Sequence, residues 1–209
     1  MNTHFEAVNS DFGLIVISAP SGTGKSTLCT RLLHEKKDVL GLSISTTSRC
    51  PRGTELHGKE YFFISQDEFK KKIDEDAFAE WALVHGNYYG TEKKTLENFW
   101  REGRHVLLDI DVQGAAKLRQ VYATKTLSIF LAPPNLQELE RRLRGRGTET
   151  EEAIQKRMKN AEVELKRQNE FDQVIVNDDL ELSYARLKDA LHEFIIHLNL
   201  NSNHLKKNT

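Results

Sequence analysis

A glycine-rich segment with one lysine stands between an apolar run and a helix-like pattern. Residues 19–27 read Ala-Pro-Ser-Gly-Thr-Gly-Lys-Ser-Thr. Gly22 and Gly24 allow backbone N–H groups to turn inward around phosphate oxygens, Lys25 would reach terminal phosphates, and the Ser26 hydroxyl would ligate Mg²⁺. Because the order strand, loop, helix is the one this motif needs, a flexible Gly/Ser turn is the weaker interpretation. The predicted phosphate loop consists of Ala19, Pro20, Ser21, Gly22, Thr23, Gly24, Lys25, Ser26 and Thr27.

Two arginines three residues apart form a second candidate site for an anion. Arg49 and Arg52 follow a run of hydroxyl residues that includes Ser45, and Tyr61 could add a neutral donor. A planar guanidinium can hold a phosphate through two parallel hydrogen bonds. A solvated basic loop is the alternative, and the nearby phosphate loop makes it less favoured.

A glutamate set among aromatic residues is a candidate for reading a nucleobase. Glu80 could accept from the adjacent N1–H and N2–H donors of guanine, a pair that adenine lacks, and the Thr91 hydroxyl could donate to guanine O6. For this segment alone, an aromatic edge of the core with a surface glutamate is the favoured interpretation.

Two acids close a nearly continuous apolar run. Asp109 ends the run 105–109 and fits the acid that holds the Mg²⁺ shell, while Asp111 could face the same cleft. The alternative is that these acids only cap a helix.

Three further arginines lie in a charged, helix-like stretch. Arg142, Arg146 and Arg157 could form a lid whose guanidinium groups close over a transferring phosphoryl group. A solvated helix face is an equally good interpretation of these arginines alone.

Length, net charge and cysteine content limit the classes of protein to which this chain can belong. A chain of 209 residues can build one sizeable core, and a net charge of -1 gives no overall field that would favour nucleic acid or membranes. No apolar run is long enough for a transmembrane helix, and the first residues lack the features of a signal peptide. Two cysteines, Cys29 and Cys50, form no disulfide framework, so we expect a cytoplasmic protein.

Strand-like and helix-like segments alternate along the chain, which predicts an α/β fold with a parallel sheet covered by helices on both faces. Ser65 and Glu68 predict a helix-starting capping box, and Gly103 predicts a helix end. The predicted strands are 14–18, 61–64, 78–84, 105–111, 127–131 and 174–176. The predicted helices are 26–36, 91–101, 114–121 and 148–169, and three further helices would contain Phe69, Leu136 and Leu187. Residues 85–90 are predicted to be a turn-rich link between a strand and the next helix.

Two segments interrupt this alternation. Residues 44–102 are predicted to be an inserted α/β subdomain above the carboxyl ends of the strands, and residues 136–157 a small helical insertion. The core would then consist of 1–43, 103–135 and 158–209.

These motifs, in this order, resemble guanylate kinase, a P-loop kinase. The resemblance rests on the phosphate loop, 45–52 with Tyr61, Glu80-Trp81, 86–91, 108–114, 144–149 and 174–179, and it covers roughly residues 13–198. The phosphate loop alone is common to many nucleotide-binding proteins, whereas the combination of motifs is specific.

The resemblance implies transfer of the γ-phosphoryl group of ATP to GMP or dGMP, with Mg²⁺, in purine nucleotide metabolism. It implies a core, a GMP-binding subdomain at 44–102 and a lid at 136–157. We expect no nucleic acid or membrane partner and infer no obligatory protein partner. Ser45, Arg49, Arg52, Tyr61 and Tyr89 would hold the GMP phosphate, and Glu80, Thr91 and Asp111 would read guanine. Asn177 would lie near the adenine of ATP, and Ser26 and Asp109 would hold the metal, the latter through water. The catalytic cations would be Lys25, Arg49, Arg142, Arg146 and Arg157.

Two other functions remain open at this level. One is a non-catalytic guanylate-kinase-like module that binds phosphopeptides, against which the intact Lys25 and Ser26 argue. The other is a kinase for a different phosphorylated acceptor such as a ribose bisphosphate, against which Glu80 and Thr91 argue.

Overall fold

The computed structural model describes residues 12–84, 86–145, 147 and 150–206, with side chains described as far as residue 200. The strands are β1 Leu14–Ser18, β2 Leu40–Ser43, β3 Thr46–Thr47, β4 Phe62–Phe63, β5 Phe78–Val84, β6 Asn87–Glu92, β7 His105–Asp109, β8 Thr126–Ala132 and β9 Gln173–Val176. The α-helices are α1 Lys25–Glu35, α2 Gln66–Asp74, α3 Lys93–Arg101, α4 Val112–Val121, α5 Leu136–Arg144, α6 Glu151–Leu165 and α7 Leu180–Lys206. Short 3₁₀ turns occupy Ala123–Lys125 and Gln168–Glu170.

The larger sheet is parallel and has the strand order β2-β7-β1-β8-β9. Its central strand β1 is apolar at four successive positions because both faces of the sheet are covered, and every residue of the strand is buried. Successive side chains point to opposite faces, so Ile15 and Ile17 pack with α1 and α7, whereas Leu14 and Val16 pack with α3 and α4. This confirms the predicted class, a parallel sheet with helices on both faces.

The smaller sheet has the order β4-β3-β6-β5 and mixes parallel and antiparallel pairs. Helix α2 packs beside it through Phe69, which stacks on Phe78. Ser65 and Glu68 make the predicted capping box at the start of α2. The smaller sheet therefore carries Glu80, Tyr89 and Thr91 on two adjacent strands.

Helices α5 and α6 form a hairpin with a small core of its own. Leu139 and Leu143 of α5 pack against Ala161 and Met158 of α6. This hairpin lies on the phosphate loop, since a side chain at Gly22 would come within 2.9 Å of Cδ2 of Leu143. None of the helices in the described ranges is long and apolar enough to cross a membrane.

Several predicted boundaries were wrong. The segment 85–90, predicted to be a link, mostly belongs to strand β6, and the helix after it begins at Lys93 rather than at residue 91. Strand β2 was missed, the strand predicted at 61–64 covers only Phe62–Phe63, and the strand predicted at 105–111 ends at Asp109. Helix α6 ends at Leu165 rather than at residue 169, because the chain turns to bury Phe171 in the core.

Candidate active site

The phosphate loop connects β1 to α1 as the sequence predicts. Gly22 and Gly24 both have φ of 95°, a conformation that strongly favours glycine. Thr23 braces the turn by donating its hydroxyl to the carbonyl of Pro20 at 2.7 Å. Gly24 provides no side-chain cap for α1, so the first N–H groups of that helix remain available for an anion.

Lys25 and Asp109 form an ion pair at the carboxyl ends of β1 and β7. Burial alone would lower the pKa of Lys25, but the neighbouring Asp109 carboxylate outweighs that effect and raises the pKa above its ordinary value. Lys25 is therefore held fully charged next to the phosphate loop.

A cavity of about 450 Å³ connects the phosphate loop to the smaller sheet. Lys25 and Ser26 line it from the start of α1, Asp109 from the end of β7, and Asp111 from the N-cap of α4. The smaller sheet and the segments beside it contribute Ser45, Tyr61, Glu80 and Tyr89 to the lining. Residues predicted from separate motifs to bind phosphate, base or metal thus line one cavity together with Lys25.

Glu80 is a buried carboxylate that lines the cavity. Its side chain accepts from the Thr91 hydroxyl at 2.8 Å, and α4 approaches it closely at Gly114, where a side chain would come within 2.7 Å of Oε2. Burial raises the pKa of Glu80 to about 7, and the nearby charge of Asp111 adds to the shift. Thr91 itself is fully buried behind Glu80 and does not line the cavity.

Asp111 lines the cavity and also caps α4. One of its carboxylate oxygens accepts from the backbone N–H groups of Gln113 and Gly114, at 3.0 and 2.8 Å. Asp111 therefore does cap a helix, as the alternative interpretation predicts. Both capping bonds go to Oδ1, so Oδ2 takes part in neither.

The two phosphate-binding arginine candidates of the smaller sheet lie outside the cavity wall. Arg49 is only 8% exposed and makes a two-pronged ion pair with Glu55, while Arg52 is exposed. The aromatic rings of Tyr61 and Phe63 lie beside the Arg49 guanidinium.

Of the described candidate lid arginines, Arg157 contacts the phosphate loop directly, and Arg142 contacts Asn177, which is bonded to that loop. Arg157 donates to the Ser21 hydroxyl, and Arg142 donates to the backbone carbonyl of Asn177 at 2.9 Å. Asn177 is buried, and its amide donates to the carbonyl of Thr23 at 2.6 Å. Arg146 lies outside the described residues.

Glu164 is a cavity residue that was not predicted. It projects from α6 toward Lys25, and burial raises its pKa to about 7, with Lys25 opposing the shift and Asp111 adding to it. The sequence feature that could have identified Glu164 is its position three residues after Ala161, on the apolar stripe of α6, where a glutamate is unusual.

The donor set fits a magnesium ion that is held partly by substrate. Ser26 and Asp109 offer hydroxyl and carboxylate oxygens on the same cavity. Within the described part of the chain no cluster of three or more Asp, Glu, His or Cys residues forms a complete metal site. Mg²⁺ often needs only one or two protein ligands when phosphates and water supply the rest.

Comparison with known proteins gives one consistent family. Residues 12–194 match the family model described as guanylate kinase. The chain is 46% identical to a guanylate kinase of Prochlorococcus marinus over 84% of this chain and 93% of the relative, and 47% identical to one of Caldanaerobacter subterraneus over 84% of each. A crystal structure of guanylate kinase from Anaplasma phagocytophilum superposes with a TM-score of 0.70 at 32% identity, over 87% of this chain and 85% of that one.

Proposed function

Because this chain belongs to the guanylate kinase family, we propose that it transfers the γ-phosphoryl group of ATP to GMP or dGMP. The observation that carries the proposal is the single cavity onto which both the phosphate loop and the buried carboxylate of Glu80 open. A nucleotide triphosphate at one end and a guanine at the other would place two phosphate chains between them. We propose the division into a core, a GMP-binding subdomain at 44–102 and a lid at 136–157 on the same basis.

In the proposed reaction, an oxygen of the GMP phosphate attacks the γ-phosphorus of ATP. The bond from that phosphorus to the bridging oxygen breaks, and ADP leaves with the bonding electrons. The acceptor is already an anion, so no general base is needed. The residues have to position two polyanions and balance their charge.

Each group of side chains has a distinct task in this proposal. The first N–H groups of α1 and Lys25 would bind the β- and γ-phosphates, and the lid arginines Arg142, Arg146 and Arg157 would stabilise charge on the transferring group. Ser26 and Asp109 would hold Mg²⁺, which when bound offsets phosphate charge. The GMP phosphate would bind Ser45, Arg49, Arg52, Tyr61 and Tyr89.

Guanine recognition is proposed to rest on Glu80, supported by Thr91 and Asp111. An ionised Glu80 would accept from guanine N1–H and N2–H, whereas adenine would leave the buried carboxylate unpaired. Sites of this kind can reject the wrong ligand by about 10⁴–10⁵. Asn177, which is hydrogen-bonded to the phosphate loop, would lie toward the adenine of ATP.

We also propose a cytoplasmic location, which the free cysteines Cys29 and Cys50 support.

A coupled assay of Mg·ATP against GMP, dGMP, AMP, CMP and UMP tests the proposal. We expect turnover with GMP and dGMP only, and the Lys25→Ala protein controls for contaminating kinases. Glu80→Gln should narrow the GMP-to-AMP ratio of kcat/KM, while Glu75→Gln on the exposed end of α2 should not. Equal turnover with AMP, or none with GMP, would overturn the proposal.

A further inference from the structure

We propose that Glu55 is a positioning residue for the acceptor phosphate, because its carboxylate fixes both Arg49 and the turn that carries Arg52. The inference rests on the proposed function. It assigns a role to a side chain that lies outside the main cavity.

The hydrogen bonds of Glu55 join the two arginines. Its Oε2 accepts from Nη1 of Arg49 at 2.9 Å and from the backbone N–H of Arg52 at 2.8 Å, and its Oε1 accepts from Nη2 of Arg49 at 3.0 Å. The N–H of Glu55 donates back to the carbonyl of Arg52 at 3.0 Å, which closes the turn. One carboxylate thus sets the guanidinium of Arg49 and the backbone of Arg52 together.

The surroundings of Arg49 explain why it needs this partner. The side chain is 8% exposed, its Nη1 also donates to the carbonyl of Cys50 at 2.8 Å, and the rings of Tyr61 and Phe63 lie 5.3 and 5.7 Å from its central carbon. A buried guanidinium without a counter-charge is costly, and a two-pronged pair fixes the plane of the group. The hydrogen bond from Arg49 lowers the pKa of Glu55, so the carboxylate stays ionised at neutral pH.

The position of Glu55 separates it from the phosphate that it would help to bind. It lines a smaller cavity of about 290 Å³, which shares Ser26, Ser45, Tyr61 and Asp109 with the main cavity. Ser45 and Tyr61 therefore stand on the wall between Glu55 and the acceptor site. The carboxylate can hold Arg49 from behind without itself lining the phosphate site.

A competing possibility makes the opposite prediction. If Glu55 only competed with phosphate for Arg49, its removal would free the arginine and tighten GMP binding. If Glu55 positions the arginine, its removal weakens GMP binding. The sign of the change separates the two.

The test compares Glu55→Gln and Glu55→Ala with Glu60→Gln. Glu60 lines the same smaller cavity and accepts from the Leu56 backbone at 2.7 Å, and no arginine of the described residues donates to it. We expect both Glu55 variants to raise KM and the calorimetric Kd for GMP about 10–150-fold, the range for a charged hydrogen bond. The KM for ATP and kcat should change less than about threefold, and Glu60→Gln should resemble the wild type.

A double-mutant cycle with Arg49→Ala supplies the second readout. If Glu55 acts mainly through Arg49, Glu55→Gln should cost less GMP affinity in the Arg49→Ala background than in the wild type, and the loss that remains reports the turn that carries Arg52. Tighter GMP binding, an equal loss with Glu60→Gln, or fully additive losses would each overturn the inference. If the wild type neither binds nor phosphorylates GMP, the proposed function fails instead.

Discussion

Three of the cations proposed to bind phosphate are paired with a carboxylate in this structure. Lys25 pairs with Asp109, Arg49 with Glu55 and Arg142 with Glu138. The sequence predicts these cations as phosphate ligands, because lysine and arginine in these motifs have a specific chemistry. It did not identify the pairs, since Lys25 and Asp109 lie 84 residues apart and meet only when β1 and β7 pair.

Lys25→Ala should lower kcat at least about 10²–10³-fold, the typical cost of removing one donor that stabilises transition-state charge. Lys71→Ala, on an exposed position of α2, is the matched control and should keep full activity. Steady-state kinetics with circular dichroism on both proteins checks this. A folded Lys25→Ala protein with near-normal kcat would contradict the role of Lys25.

Glu80→Gln should change how stability depends on pH. The pKa of Glu80 is raised to about 7 from an ordinary 4.5, so between these values the folded protein binds more protons than the unfolded chain. Glu80 therefore lowers the free energy of unfolding progressively as pH rises through this window, by at most about 3 kcal/mol. Glutamine keeps the bond from Thr91 but does not titrate.

Urea denaturation at pH 5.5 and pH 8 measures this effect. The free energy of unfolding of Glu80→Gln relative to wild type should be higher at pH 8 than at pH 5.5. A difference that is the same at both pH values would show that Glu80 does not titrate in this window.

At the scale of elements, local signals were predicted well and pairing was not. β1, the capping box of α2 and the glycine after α3 follow from a few adjacent residues, and Gly103 does adopt a φ of 75°. β6 was missed because its Asn-Tyr-Tyr-Gly segment resembles a turn. Its extended form depends on pairing with β5 on one side and β3 on the other.

The α5–α6 hairpin should loosen as a unit when its core is truncated. Leu143 is fully buried in the small cluster of that hairpin, so Leu143→Ala should cost about 2–5 kcal/mol of local stability. Leu136→Ala, on the same helix but 36% exposed, is the control and should cost less than about 1 kcal/mol.

Amide hydrogen exchange followed by mass spectrometry locates the change. Faster exchange in Leu143→Ala should be confined to α5 and α6, with the strands of the larger sheet unchanged. A uniform increase across the chain would show that the hairpin does not open independently.

At the scale of the whole molecule, α7 packs against α1, the helix that follows the phosphate loop, and forms hydrogen bonds with it. The Tyr184 ring is 2% exposed and lies under the Arg31 guanidinium at 4.0 Å, and its hydroxyl donates to Glu35 at 2.6 Å. Arg31 also makes two hydrogen bonds to Glu181. The sequence predicted an apolar stripe on α7 but could not show which helix would receive it, because that depends on the strand order of the sheet.

Tyr184→Ala should therefore destabilise the molecule far more than Tyr184→Phe. We expect a loss of about 3–5 kcal/mol for the alanine variant, typical of a buried aromatic ring, and about 1 kcal/mol for phenylalanine, which loses only the hydrogen bond. Equilibrium urea denaturation of the two variants provides the comparison. Equal losses would mean that the hydroxyl, rather than the buried ring, provides the stability.

The parallel pairing of β1 also has a consequence for how the chain is made. Among the strands of the described residues, β1 pairs with β7 and β8, and its Leu14 is matched with Val106 and Thr126. During synthesis, β1 has no partner strand until the ribosome has released residues beyond 105, whereas β5 and β6 adjoin in sequence and can pair early. Because distant pairings form slowly, the smaller sheet should assemble first, and the central strand of the core should be the segment most dependent on chaperones at that stage.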